Sequence, residues 1–166
     1  LRLNVQVLRG HADSVNEVQW LPYTNTLASA SSDKTVSLWD ARTGLAVATF
    51  FHHTNSIASV AESLDGRTLA SVDADGALKL WDVRTVAERA SVHVSTHALN
   101  RVRFDAAAAV VLAACDDGRV HARSTPSLDA AGELSGHDDA VQSLAVDYMT
   151  RNLITASSDC TFRLWA

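Results

Sequence analysis

The stretch LASASSDKTVSLWD, residues 27–40, alternates apolar and small polar side chains on either side of a Ser-Asp-Lys turn and closes on Trp-Asp. Period-two alternation around a tight turn marks two antiparallel strands that share one buried face. The same wording returns at residues 69–82 as LASVDADGALKLWD. Working outward, Asp33, Asp75, Asp117 and Asp159 fall at a constant spacing of 42 residues. Leu27, Leu69, Val111 and Leu153 keep that register, as do Val36, Leu78, Val120 and Phe162. Trp39, Trp81 and Trp165 share a further column, and Gly10-His11 returns as Gly136-His137 with His53 between them. Columns this numerous in one register define four repeats, at about 10–40, 52–82, 94–124 and 136–166. In the first, Val15, Val18 and Trp20 begin one strand, Leu27 to Ser31 form a second and Thr35 to Trp39 a third. Outer strands are expected around Leu45 to Phe51 and Glu88 to Val94. Helical periodicity is absent, so the fold class is all-β with four short strands per unit.

Composition agrees and narrows function. Of 166 residues, 47% are hydrophobic and 20% charged, which supports a packed core rather than disorder. No apolar run approaches the ~20 residues of a membrane helix, and no basic-then-apolar leader stands at Leu1, so no membrane role is expected. A net charge of −5, with Lys34 and Lys79 the only lysines, argues against a nucleic-acid binder. Cys115 and Cys160 are too few for a disulfide framework and lack the usual metal-ligand spacing, so a reducing, cytoplasmic compartment and no metal are expected. No Gly-rich phosphate loop is present: Gly132 and Gly136 bracket Glu133, Leu134 and Ser135 with no lysine following. Neither a cofactor nor a catalytic residue is expected.

The Gly-His near the start of a unit, the LASASSDKTVSLWD stretch and the closing Trp-Asp resemble the WD-repeat β-propeller family across nearly the whole chain. The resemblance implies a propeller built of 42-residue repeats, a fold that hosts many unrelated activities. His11, Ser29, Asp33 and Trp39 align with the family's structural tetrad, as do His53, Ser71, Asp75 and Trp81, and His137, Thr155, Asp159 and Trp165. A histidine, a serine and an aspartate also evoke a nucleophilic triad. An enzyme needs one such set, whereas this one recurs where each blade needs a fold-stabilising element. Losing one member strands buried partners, and Asp33→Ala is expected to cost roughly 1–3 kcal/mol.

The third repeat departs from the pattern: Ser95 replaces His, Ala113 replaces Ser and Arg123 replaces Trp, leaving only Asp117. This blade is therefore expected to be the loosest, with Ala106 to Ala109 a featureless turn. Arg101, Arg103, Arg119 and Arg123 gather in the same unit, with Arg101 and Arg103 expected to point outward. Two readings stay open: an arginine patch for an acidic partner, or drift on a solvated face. In the family, the narrow face around the channel often binds peptides through residues flanking the first-strand valine and preceding the turn aspartate. The matching positions include Ser14, Asn16, Asn100, Asp116 and Gln142, a polar set with no large anchor. His52-His53 and the His93 to His97 segment lack partner ligands at metal spacing and are expected in surface or loop roles.

Four units fall short of the family's usual ring of about seven blades. Leu3 to Leu8 reads as an outer strand, residues 1–9 completing a preceding or closing blade, and the chain is expected to be the C-terminal part of a larger propeller. Two such half-rings closing on each other as a dimer is a further expectation. The segment Ser14 to Gly44, together with two well-formed repeats, a degenerate one and a final Gly-His repeat, resembles the axonemal central-apparatus WD-repeat family of the sperm-associated antigen sixteen type. That resemblance implies a non-catalytic scaffold with axonemal or microtubule-associated protein partners in the flagellum. The alternative is an adaptor that reads a peptide on the narrow face, as in signalling or ubiquitin-ligase complexes.

Overall fold

The computed structural model describes residues 6–166. Fifteen strands form four antiparallel sheets in chain order, and among the described residues there is no helix. Blade 1 holds β1 (Val15–Trp20), β2 (Thr26–Ser31), β3 (Val36–Asp40) and β4 (Ala46–Phe50). Blade 2 holds β5 (Ile57–Glu62), β6 (Thr68–Asp73), β7 (Ala77–Asp82) and β8 (Ala87–His93). Blade 3 is β9 (Leu99–Phe104), β10 (Val110–Cys115), β11 (Arg119–Ser124) and β12 (Ala130–Ser135). Blade 4 has three strands, β13 (Val141–Val146), β14 (Leu153–Ser157) and β15 (Phe162–Trp165). Each sheet is a meander, and the innermost strands β1, β5, β9 and β13 stack one blade on the next. The sequence columns thus become the blades of a partial β-propeller. The expected outer strand at Leu3 to Leu8 lies in part outside the described residues, and Gln6 to Leu8 are not in a strand.

The hairpin turns explain a column the sequence fills unevenly. Lys34, Gly76, Gly118 and Cys160 all adopt positive φ, at 71°, 85°, 81° and 66°. Only glycine takes this conformation without strain, so Lys34 and Cys160 are held there by the hairpins around them. At Gly76 a Cβ would also lie 1.9 Å from the Ser95 carbonyl oxygen, so that position admits no side chain.

Blades cohere by burying the alternating apolar face of one sheet under the inner strand of the next. Val36, Leu38 and Phe50 pack with Ile57, Val60, Leu69 and Trp81. Ala70, Leu78 and Leu80 pack with Leu99, Val102, Phe104 and Val111, and Ala114 and Val120 pack with Val141, Leu144 and Leu153. Each fully buried Val, Leu or Phe contributes roughly 1.5–3 kcal/mol. At the two ends of the arc the same columns face outward. Val60 and Val102 are fully buried, but Val18 is 58% exposed, with Trp20 beside it. Likewise Val36, Leu78 and Val120 are buried while Phe162 is 74% exposed, next to exposed Leu164 and Ile154.

Candidate functional site

In blade 1 the His11 Nδ1–H donates to Asp33 Oδ2 at 2.8 Å, Ser29 Oγ meets His11 Nε2 at 2.6 Å, and Trp39 Nε1–H donates to Ser29 Oγ at 2.7 Å. Thr35 Oγ1 and the Ala12 N–H brace the carboxylate at 2.7 and 2.9 Å. Burial alone would raise the Asp33 carboxyl, but the hydrogen bonds from Thr35, Ala12 and His11 outweigh it and hold the group well below the ordinary carboxylate range. Gly10 leaves room for this arrangement, since a Cβ there would lie 2.9 Å from the Trp39 ring. Blade 4 repeats the chain: His137 to Asp159 at 2.7 Å, His137 to Thr155 at 2.8 Å and Trp165 to Thr155 at 2.9 Å. The Thr161 hydroxyl is the largest influence keeping the Asp159 carboxyl low, with His137 adding to it against some burial.

Blade 2 corrects the aligned aspartate. His53 Nδ1–H donates not to Asp75 but to Asp73 Oδ2, at 2.7 Å, while Ser71 and Trp81 complete the chain at 2.6 and 2.7 Å. Asp75 stands exposed and takes hydrogen bonds from Thr54 and Asn55 instead. The physical reason is local. Gly76-Ala77 replaces Lys34-Thr35, so no hydroxyl braces a carboxylate at the turn, whereas Asp73 at the strand end accepts the Ala77 and Asp75 N–H groups. Although burial pushes the Asp73 carboxyl up, His53 and these backbone donors bring it below its ordinary value.

Blade 3 is not left without a polar lock. His121, on β11, turns inward and pairs through Nε2 with Asp117 Oδ2 at 2.9 Å. Its imidazole is buried, and it lies opposite Ala113 in the strand ladder. Leu99, Val102, Phe104, Val111 and Val120 are all essentially inaccessible, so apolar packing is kept in this blade. Cys115 lies beside the pair, its thiol pushed up by burial. Even the alanine turn is tied down: Asp105 caps it through the Val110 N–H, and Thr125 donates to the Ala108 and Ala109 carbonyls.

The four arginines of that unit do not form one patch. Arg103 Nη2 and Arg101 Nη1 converge on Glu17 Oε1 of blade 1, at 2.8 and 3.2 Å, across the inner strand of blade 2. They therefore point toward the centre of the arc, against the expected outward direction, because Glu17 offers a carboxylate there. The other Glu17 oxygen accepts the Ser59 hydroxyl and, at 3.0 Å, the Val60 N–H. Arg119 pairs with Glu133 on the outer half of the sheet at 3.1 Å, and Arg123 keeps a buried Nε with no hydrogen-bond partner.

The narrow-face residues are also occupied. Asn16, Ala58, Asn100 and Gln142 are the extra residue of a β-bulge that recurs in every inner strand. At Asn16 and Asn100 the bulge lets the side chain reach the next blade. Asn16 Nδ2 donates to Ser32 Oγ and to the Ile57 carbonyl at 3.0 and 2.7 Å. Asn100 donates to Asp116 Oδ1 at 2.7 Å and to the Val141 carbonyl at 3.0 Å, and Gln142 donates to Ser158 at 3.0 Å. Ser14 contributes its carbonyl to Ser31 and Ser32. His52 lies on the surface 3.4 Å from Glu88, and His93 and His97 are exposed.

One buried group escaped the sequence reading. Glu62, at the end of β5, is 5% exposed with neither carboxylate oxygen hydrogen-bonded. Burial, helped by the charge of Asp65, pushes its carboxyl up to about 8. Its column otherwise holds Trp20, Phe104 and Val146, and that break in an apolar column was the available signal.

A blade-by-blade meander locked by His–Ser/Thr–Trp chains defines the class of the molecule as a repeat propeller. The WD domain, G-beta repeat family matches residues 3–40, 44–82 and 129–166, more than half of the chain, and the chain belongs to that family. Residues 83–128, the third repeat, lie outside the match. Among curated proteins, the chain is 28% identical over 164 residues to the WD repeat-containing protein AAC3 of Dictyostelium discoideum, which covers 95% of this chain and 34% of that protein. It is 41% identical over 63 residues to the nuclear distribution protein nudF 1 of Talaromyces marneffei, 38% of this chain and 14% of that protein. It is 55% identical over 40 residues to the WD repeat-containing protein 89 homolog of Dictyostelium discoideum, 24% and 11% of the two chains. The chain thus spans a third or less of the length of these relatives. WD-repeat propellers generally mediate protein–protein interaction and are typically non-catalytic.

Proposed function

We propose that this chain acts as a non-catalytic scaffold that holds protein partners. The observation that carries the reading is how the polar side chains are used. The His, Ser/Thr and Asp groups that resemble a triad close hydrogen bonds within each blade. The chemistry-bearing residues thereby serve the fold rather than a reaction, as a scaffold requires. The full-length protein, isolated by a tag under native conditions, is expected to elute in a stoichiometric complex. Recovery as a free monomer would overturn the scaffold reading.

The end faces also support closure of two arcs on each other, because each presents the column its neighbour normally covers. Light scattering on the 166-residue chain is expected to show a dimer that Trp20→Glu abolishes. The axonemal setting rests on the resemblance of Ser14 to Gly44 and of the order of the repeats, and it proposes a microtubule-associated partner in motile flagella. Tagged full-length protein is then expected to stay with demembranated axonemes, and complete release into the soluble fraction removes that setting. The peptide-reading alternative draws less support, since Asn16, Asn100 and Gln142 already bond within the propeller.

A further inference from the structure

We propose that Cys115, Asp117 and His121 form a binding site for a divalent transition metal of the zinc class. The three residues stand on one hairpin, Cys115 ending β10, Asp117 in the turn and His121 on β11. Their thiol, carboxylate and imidazole donor atoms all lie within 4.8 Å of one another. A thiol and an imidazole in the set select a borderline-soft ion, since calcium and magnesium take oxygen ligands. Cys115 is wholly buried and His121 nearly so, which shields the site from competing water, while the partly exposed Asp117 opens one side to solvent.

A second observation on the far side of the imidazole supports the assignment. His121 Nδ1 is buried without a hydrogen-bond partner, yet Glu133 Oε1 of β12 stands 3.3 Å from it. Metal-bound histidines commonly donate their other ring N–H to such a carboxylate, which fixes the tautomer and strengthens the ligand. In the metal-free chain Nε2–H points at Asp117. Binding releases the Cys115 thiol proton to solvent and moves the imidazole proton from Nε2 to Nδ1, where Glu133 receives the hydrogen bond. Three protein ligands leave a fourth position for water. The place in the fold is consistent as well. The site stands where the other blades build their His–Ser/Thr–Trp chain, and in this blade Ser95, Ala113 and Arg123 have removed that chain. The ion would pin the hairpin of the one repeat that lies outside the family match.

Cobalt(II) titration of the 166-residue chain tests this, because thiolate ligation gives a near-ultraviolet charge-transfer band and tetrahedral sites give intense visible bands. Wild type is expected to show both, at one equivalent, with zinc displacing cobalt. Cys115→Ala keeps the Asp117–His121 hydrogen bond and is expected to fold while losing the charge-transfer band. Cys160→Ser is expected to leave the spectrum unchanged. Glu133→Gln removes no donor atom of the site, alters only the partner of His121 Nδ1, and is expected to weaken zinc binding by about tenfold or more. Absence of the charge-transfer band in wild type overturns the proposal, as does undiminished binding by Cys115→Ala, which would move the metal to surface histidines.

Discussion

Glu62 makes the stability of this propeller depend on pH in the direction opposite to ordinary acid denaturation. Its carboxyl titrates near 4.5 when unfolded and is pushed up to about 8 in the folded chain, where both oxygens are buried without partners. Above the unfolded value the unfolded chain has released this proton while the folded chain still holds it. Stability is therefore fully present below that value, falls as pH rises, and levels off once the folded group ionises. A tenfold difference in proton affinity between the two states is worth ~1.4 kcal/mol, so moving from about pH 5 to about pH 8.5 removes roughly 3–4 kcal/mol. That is a large share of the ~5–15 kcal/mol of a whole domain. The assay is urea denaturation of wild type and Glu62→Gln across this range. Every other group is common to both proteins and cancels in the difference, leaving the Glu62 contribution. The variant is expected to show a flatter profile, matching wild type at the acid end and exceeding it at the alkaline end. Glu62→Leu, which also removes the orphaned oxygens, is expected to exceed both throughout. Parallel profiles for wild type and Glu62→Gln would refute the reasoning, because they would mean that the carboxylate finds solvent or a cation between blades 1 and 2.

Three further outcomes follow from the locks. Asp73→Asn should cost about 2 kcal/mol in urea denaturation through the stranded His53, whereas exposed Asp75→Asn should stay within about 0.5 kcal/mol. The reverse order would restore the aligned aspartate to the tetrad. Glu17→Gln should destabilise by about 2–3 kcal/mol, since it leaves Arg101 and Arg103 facing each other without a carboxylate, and Arg103→Met should cost less. Equal and negligible losses in both would show the network to be solvent-screened. Asp33, Asp73 and Asp159 are held below their ordinary values, so the stability they supply is present above the unfolded value near 3.8 and is lost as pH falls below it. Circular dichroism should show an acid transition that Asp33→Asn makes shallower.

The blades were legible because a repeat repeats its environment. Leu27, Leu69, Val111 and Leu153 keep one spacing, and the strands containing them pair in equivalent registers. Column logic failed where an exchange at one position was offset at another. Asp73 replaces Asp75 as the partner of His53 because the turn lost its hydroxyl, and in blade 3, where the aligned His and Ser are missing, His121 pairs with Asp117. Both substitutes sit in columns that hold Ser31 and Ser37 in blade 1, so a column-by-column reading assigns them no role. Glu17, Arg101 and Arg103 were hidden for a different reason. Their meeting depends on curvature that brings blade 1 to blade 3, and no local spacing encodes that approach.

The same compensation explains why the central ion network belongs at this place in the arc. The bulge amide joins blade 1 to blade 2 through Asn16 and the Ile57 carbonyl, and blade 3 to blade 4 through Asn100 and the Val141 carbonyl. Between blades 2 and 3 the bulge residue is Ala58, which has no amide to give. That junction is joined instead by Ser59, whose oxygen accepts the Val102 N–H at 3.1 Å while its hydroxyl donates to Glu17. Glu17 in turn holds Arg101 and Arg103, so one carboxylate ties blade 1, blade 2 and blade 3 together where the ordinary link is missing. Removing Glu17 should therefore loosen the 2–3 junction in particular. Hydrogen exchange at the Val60 amide, which donates to Glu17, and at the Val102 amide, which depends on Ser59 being held in place, should rise in Glu17→Gln more than exchange at the Leu144 amide. Uniform acceleration across all three inner strands would mean that the network stabilises the arc as a whole and not this junction.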